Sequence, residues 1–189
     1  LRRKWLTRGL LSLNRNNYNC VFVASPPRAG SSVTANLLSK AGLFGGKTKV
    51  ADQWNKYGYF ENLEITKYVI EYLRRNDKNK LGKRFQPKNL KEDFDVFGDL
   101  VESVLFEQGW DGKSTWFYKD PKIPLCWKLF NKHFPKAKWI ICRRDRNDLL
   151  QSLEKTPFMD AYTSKKDWNT FLDHYEILIN EISSQGTSD

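Results

Sequence analysis

The residues best suited to chemistry begin with Arg28, Gly30, Ser31 and Ser32. They close the stretch Val21-Phe22-Val23-Ala24-Ser25-Pro26-Pro27-Arg28-Ala29-Gly30-Ser31-Ser32-Val33. Its first half is short, apolar and rich in β-formers, which predicts a buried strand. Pro26-Pro27 breaks that strand. Ser31 or Ser32 is expected to cap the helix that follows, with Val33, Leu37, Leu38 and Ala41 on its apolar face. A strand, a small-residue loop and a helix N-terminus together form an anion site. Backbone N–H groups converge there and the helix dipole favours negative charge. Arg28 adds a forked cation at the same place. For this loop alone, the alternative to an anion site is an ordinary turn punctuated by Pro and Gly.

Two more strand ends carry charge. Ser114 to Tyr118 reads as a buried strand ending in Lys119-Asp120-Pro121-Lys122, and a helix follows from Leu125 to Phe134. Trp139-Ile140-Ile141-Cys142 reads as a third strand, ending in Arg143-Arg144-Asp145-Arg146 and entering a helix with Leu149, Leu150 and Leu153. Strands alternating with helices predict an α/β fold, a three-layer sandwich around a central, mainly parallel sheet. Ligands in such folds bind beyond the carboxyl ends of the strands. Three strand ends are therefore expected to deliver cations to one rim. Glu61 opens a helix marked by Ile65, Tyr68, Val69, Tyr72 and Leu73. It is either a dipole-complementing acid in the first turn or a proton acceptor beside those cations.

The whole chain is consistent with one domain. Its 189 residues allow a sizeable core, and the net charge of +10 predicts an anionic partner. Three cysteines without metal-ligand spacing point to reduced, buried thiols and so to the cytoplasm. No stretch is long and apolar enough to span a bilayer. The chain begins at Leu1 rather than Met, which leaves room for an upstream anchor or signal. The basic lead-in, residues 1–18, is expected to pack on the domain with its cations in water; a membrane-surface helix is the alternative. The basic insertion at 74–91 reads as a solvated loop, or as a flap for an acidic acceptor. Gly42 to Thr48 looks like the end of a Walker A motif, but Ala41 stands where that pattern needs Gly, and a helix precedes it. Gly42 therefore reads as a helix C-cap and the rest as a loop. His133 sits at a helix end as a dipole partner, and His174 is expected to face solvent. Neither has a nearby activated Ser or Cys, so triad chemistry has no support. Trp168, Phe171, Leu172, Tyr175 and Ile179 mark a last core-facing helix, and the tail from Ser183 to Asp189 is expected to fray.

Four segments carry a resemblance to sulfotransferases that use 3′-phosphoadenosine-5′-phosphosulfate (PAPS). Pro27-Arg28-Ala29-Gly30-Ser31-Ser32 resembles their 5′-phosphosulfate loop. Arg144 with Ser152 eight positions later resembles their 3′-phosphate motif. Lys119-Asp120-Pro121 resembles the Lys-Asp-Pro element of bacterial and tyrosylprotein-type members, and Gly58-Tyr59-Phe60-Glu61 the Gly-aromatic-x-Glu element of bacterial ones. The chain departs from the pattern at Ala29, Lys122 and Arg146, where those families usually have Ser, Arg, and Pro or Gly. Members also commonly continue past the last helix.

The resemblance implies a single sulfotransferase-like domain over residues 1–189, of the P-loop nucleotide-binding type. It implies in-line, metal-independent transfer of a sulfuryl group from PAPS to an acceptor hydroxyl or amine, leaving 3′-phosphoadenosine-5′-phosphate (PAP). The amides of Arg28, Ala29, Gly30, Ser31 and Ser32 would cradle the 5′-phosphosulfate, and Arg144 and Ser152 would hold the 3′-phosphate. Arg28 and Lys119 would stabilise the transferring group and the leaving phosphate. Glu61 would be the general base, its pKa lowered by neighbouring cations. The motifs leave the acceptor's class open, and the basic insertion favours an acidic one. No aromatic-basic signature of a nucleic-acid module is present. The competing readings are a P-loop kinase or NTPase using ATP and Mg²⁺, and a non-enzymatic polyanion-binding module.

Overall fold

A computed structural model describes residues 18–53, 55–56, 58–76, 94–156 and 164–185. The lead-in before Tyr18 and the insertion from 77 to 91 lie outside the described residues, and so do the expectations placed on them. Three parallel strands form the sheet: β1 (Cys20–Ala24), β2 (Trp116–Lys119) and β3 (Lys138–Ile141), in the order β2-β1-β3. β1 is central. Phe22 sits opposite Tyr118 on one side and Trp139 on the other. The helices are α1 (Ser31–Lys40), α2 (Leu63–Arg75), α3 (Phe97–Glu107), α4 (Trp127–His133), α5 (Arg146–Glu154) and α6 (Lys165–Gln185). This is the α/β architecture expected from the alternation of apolar runs.

Strand alternation divides the core. Cys20, Phe22, Ala24, Trp116 and Tyr118 face the larger cluster, which holds Val69 and Leu73 of α2, Val101 and Leu105 of α3, Phe130 of α4 and Tyr175 of α6. Phe22 is its hub, with edge-on contacts to Trp116, Phe130, Phe134 and Trp139 at ring separations of 5.6, 5.0, 5.9 and 5.1 Å. Val21 and Phe117 face the opposite way, onto Ala35 of α1.

That second face corrects the sequence reading of α1. Val33 and Leu37 are 58% and 61% exposed, Ala41 is also exposed and Leu38 is half-buried. The buried residues of α1 are Ser31 and Ala35. Small side chains let the helix lie close to the sheet, so proximity rather than hydrophobicity selected the inward face. The cap is corrected too. Gly30, at φ 93°, is the N-cap, and no side chain caps α1. At the other end Gly42 has φ 88°, with Gly42 N–H donating to Ser39 O and Leu43 N–H to Leu38 O. This is a Schellman ending, and Gly42 to Thr48 leads into loop rather than helix.

Other boundaries also shift. β2 begins at Trp116 rather than Ser114, and a 3₁₀ turn, Ile123–Cys126, precedes α4. α2 starts at Leu63 behind Asn62, whose side chain accepts from Ile65 N–H. Ser183 to Gln185 belong to α6 rather than to a frayed tail. Cys20 and Cys126 are buried, Cys142 is half-buried, and all three are free thiols. No described helix is long and apolar enough to cross a membrane.

Phe22→Ala is expected to cost about 3–5 kcal/mol in urea denaturation, because it empties the hub of the larger cluster. Leu37→Ser is expected to stay within about 0.5 kcal/mol of wild type, as an exposed position should.

Candidate functional site

The carboxyl ends of the three strands meet on one rim. β1 leads through Ser25-Pro26-Pro27 into Arg28, which adopts φ 70°, and then into Gly30. Two departures toward left-handed backbone within three residues turn the chain sharply into α1. The N–H groups of Gly30, Ser31 and Ser32 donate to no acceptor among the described residues. Ser25 Oγ, where the loop leaves β1, is buried and likewise has no partner among them. A tight loop with free amides and an unsatisfied hydroxyl is chemically fit to receive an anion.

β3 meets this loop directly. Asp145 accepts from the N–H groups of Asn147 and Asp148 and so starts α5 sharply. Arg144 donates through Nη1 to the carbonyl of Arg28 at 3.3 Å. Arg28 donates through Nε to Ser152 Oγ on α5 at 3.2 Å. The loop after β1 and the helix after β3 are therefore joined by the three residues singled out for the two ends of one ligand.

β2 brings the third group. Lys119 is only 3% exposed, and its ammonium reaches Glu61 Oε1 at 3.0 Å, Tyr59 O at 3.0 Å and Ser32 Oγ at 3.2 Å. Glu61 lies just before the α2 cap rather than in its first turn, where Glu64 stands instead. The dipole-acid reading of Glu61 is thereby removed. Gly58 (φ 88°) and Phe60 (φ 58°) bend the segment that delivers it. Lys49 braces that segment: its N–H donates to Glu61 O at 2.8 Å and its ammonium lies 3.6 Å from the centre of the Tyr59 ring. Burial, and a hydrogen bond to Asp52, push the Tyr59 hydroxyl up to about 12.

Behind this trio lies a network that the sequence reading missed. Buried Asp120 accepts from Thr66 Oγ1 at 3.0 Å, Tyr118 OH at 3.1 Å, Lys122 N–H at 2.8 Å and Lys122 Nζ at 3.0 Å. Burial works against its charge, but Lys122 and Lys119 prevail and hold the carboxyl below its ordinary value. Glu61 is shifted the other way. Burial, then the charge of Asp120, raise its carboxyl above the ordinary value, against the pull of Lys119 and Lys122. The expected lowering is thus reversed, because burial, with a second carboxylate beside the same lysines, outweighs their pull.

The supply of cations to the rim is smaller than the strand ends implied. Lys119 and Lys122 are each committed to a carboxylate. Arg143 turns to Asn180 and Ser183 of α6. Arg146 forks onto Asn169 and reaches Asp173 at 2.7 Å, pinning the start of α5 to α6. That contact accounts for a long cation where the resembling motif has Pro or Gly. Arg28 turns to Ser152, and Arg144, which also lies 3.7 Å from the Asp148 carboxylate, reaches the carbonyl of Arg28. His133 is buried against Phe97 at the end of α4, and His174 is half-buried rather than solvent-facing, with burial lowering its pKa.

A model described as the sulfotransferase family matches residues 20–185. No curated protein matches the chain.

The raised carboxyl of Glu61 has a measurable consequence. The folded chain binds a proton there more readily than the unfolded chain, so its ionisation costs stability as pH rises from the ordinary value of 4.5 through the folded value. In the folded protein the Glu61 carboxyl is therefore expected to titrate above its ordinary value, as read from side-chain carboxyl carbon shifts against pH.

Proposed function

The chain belongs to the sulfotransferase family, and from that premise we propose that it moves a sulfuryl group from PAPS to an acceptor hydroxyl or amine. The observation that carries this reading is the junction of Arg28, Arg144 and Ser152. A ligand phosphorylated at both ends of its ribose needs cations and hydroxyls from two strand exits in one place. Guanidiniums suit such a ligand because their forked donors match phosphate oxygens.

In this reading the loop from Arg28 to Ser32 binds the 5′-phosphosulfate, and Arg144 and Ser152 bind the 3′-phosphate. The acceptor oxygen or nitrogen forms its bond to sulfur as the sulfur–oxygen bond to the 5′-phosphate breaks. PAP leaves with that electron pair, and Glu61 takes the acceptor's proton. A carboxylate raised by burial and by Asp120 is a stronger base than an exposed one. Lys119 holds that carboxylate in place and contributes positive charge where negative charge spreads during transfer. Fixed cations supply the neutralisation, so the reading needs no metal ion. The acceptor remains of open class, with an acidic one favoured by the net charge of +10.

Nucleotide kinase chemistry fits less well. The Walker-like stretch from Gly42 to Thr48 follows a helix and leads into loop, so it lacks the strand-loop-helix frame that cradles phosphates.

Thermal unfolding with PAP, with ATP and Mg²⁺, and with heparin tests the choice. PAP at a hundred times its Kd should stabilise by about 2.7 kcal/mol, with little effect of ATP. Stabilisation by heparin alone, lost in salt, would favour the polyanion-binding reading. Glu61→Gln should lower kcat by about 10²–10⁴-fold while PAP affinity stays near wild type.

A further inference from the structure

The hydrogen atoms around Lys119 can be counted. An ammonium has three, and here each has an acceptor: Tyr59 O, Glu61 Oε1 and Ser32 Oγ. A serine hydroxyl has two lone pairs and one hydrogen. Ser32 Oγ accepts from Lys119 Nζ at 3.2 Å and from Asn55 Nδ2 at 3.1 Å. Both lone pairs are filled, and the hydroxyl hydrogen has no acceptor among the described residues. It must be directed away from its two donors. Ser32 is the second residue of α1, beside the free amides of Gly30 and Ser31. Within this quartet the Ser32 hydrogen is the donor left for a ligand.

Asn55 itself is firmly held. Its N–H donates to Asp52 Oδ1 at 3.0 Å, and its carbonyl accepts from the N–H groups of Asp52 and Gly58 at 3.2 and 3.1 Å. Asp52 in turn accepts from Tyr59 OH at 2.8 and 2.9 Å. The turn that carries Asn55 is thus fastened to the segment that carries Glu61.

We propose that Asn55 is a positioning residue, which fixes the Ser32 hydroxyl so that its hydrogen is presented to the 5′-phosphosulfate of the donor. This rests on the reading of PAPS as donor. Its consequence is that the loop before Glu61, and not only the strand-exit loop, controls donor binding. The orientation of the Asn55 amide is decisive. With nitrogen toward Ser32 the hydroxyl hydrogen is released to the ligand; with oxygen there the hydrogen would be consumed.

Asn55→Asp separates these cases, since a carboxylate accepts and never donates. Calorimetric titration should compare PAP with adenosine 3′-phosphate, which lacks the 5′-phosphate, on wild type, Asn55→Asp, Asn55→Ala, Ser32→Ala and the double variant of the last two. Asn55→Asp is expected to weaken PAP by about tenfold or more and adenosine 3′-phosphate by less than about twofold. On the Ser32→Ala background Asn55→Ala should add almost nothing, because the hydroxyl it acts through is gone. Asn55→Ala, which adds no charge, should weaken PAP in the same selective way but less. The proposal is overturned if Asn55→Asp leaves PAP binding unchanged, if it weakens both ligands alike, or if the effect of Asn55→Ala is undiminished on Ser32→Ala. A wild-type protein that binds no PAP would overturn the donor reading itself.

Discussion

A lysine ammonium buried at a strand end must find acceptors for all its hydrogens, or give up its charge. Lys119 finds them in three separate pieces of chain: the start of α1, the bend at Tyr59 and the carboxylate of Glu61. Much else at the rim follows from that requirement. Glu61 has to precede the α2 cap, because a position inside the helix would carry it along the helix face. Gly58 and Phe60 have to adopt left-handed backbone, because the chain must bend to present the Tyr59 carbonyl. Ser32 cannot cap its helix, because its oxygen is already engaged.

The basic residues divide by task. Lys119 and Lys122 neutralise Glu61 and Asp120, and Arg143 and Arg146 fasten α6 to the outlet of β3. Tyr175 of α6 donates to Pro121 O at 2.9 Å, so the same helix also steadies the outlet of β2. The long C-terminal helix therefore braces two strand exits from behind. Arg28 meets Ser152, and Arg144 meets both the Arg28 carbonyl and Asp148. Among the described residues, these two guanidiniums stand together where β1 and β3 end.

Local signals were legible in the sequence, and contacts between distant residues were not. The apolar runs of β1, β2 and β3 and the periodicity of α2 and α6 follow from each segment's own burial. The carboxyl-end rule then brought Arg28, Lys119 and Arg144 to one rim. The face of α1 was misread because close packing against Val21 and Phe117 prefers Ser31 and Ala35, and a hydrophobic count prefers Val33 and Leu37. The direction of the Glu61 shift was missed because the burial that chiefly raises it, and the nearness of Asp120, both arise only from the fold. The fate of Arg146 depended on Asp173 of another helix. Asn55 gave no signal at all: an asparagine in a polar loop is ordinary until its neighbour in space is known.

The backbone of Arg28 carries a last implication. A side chain at φ 70° is held in a conformation that glycine would occupy at less cost, by about 1 kcal/mol or more. Glycine at this position would ease the native backbone and remove the guanidinium that ties the loop to Ser152. Local strain and the bridge from β1 to α5 are thus carried by one residue and cannot be altered separately.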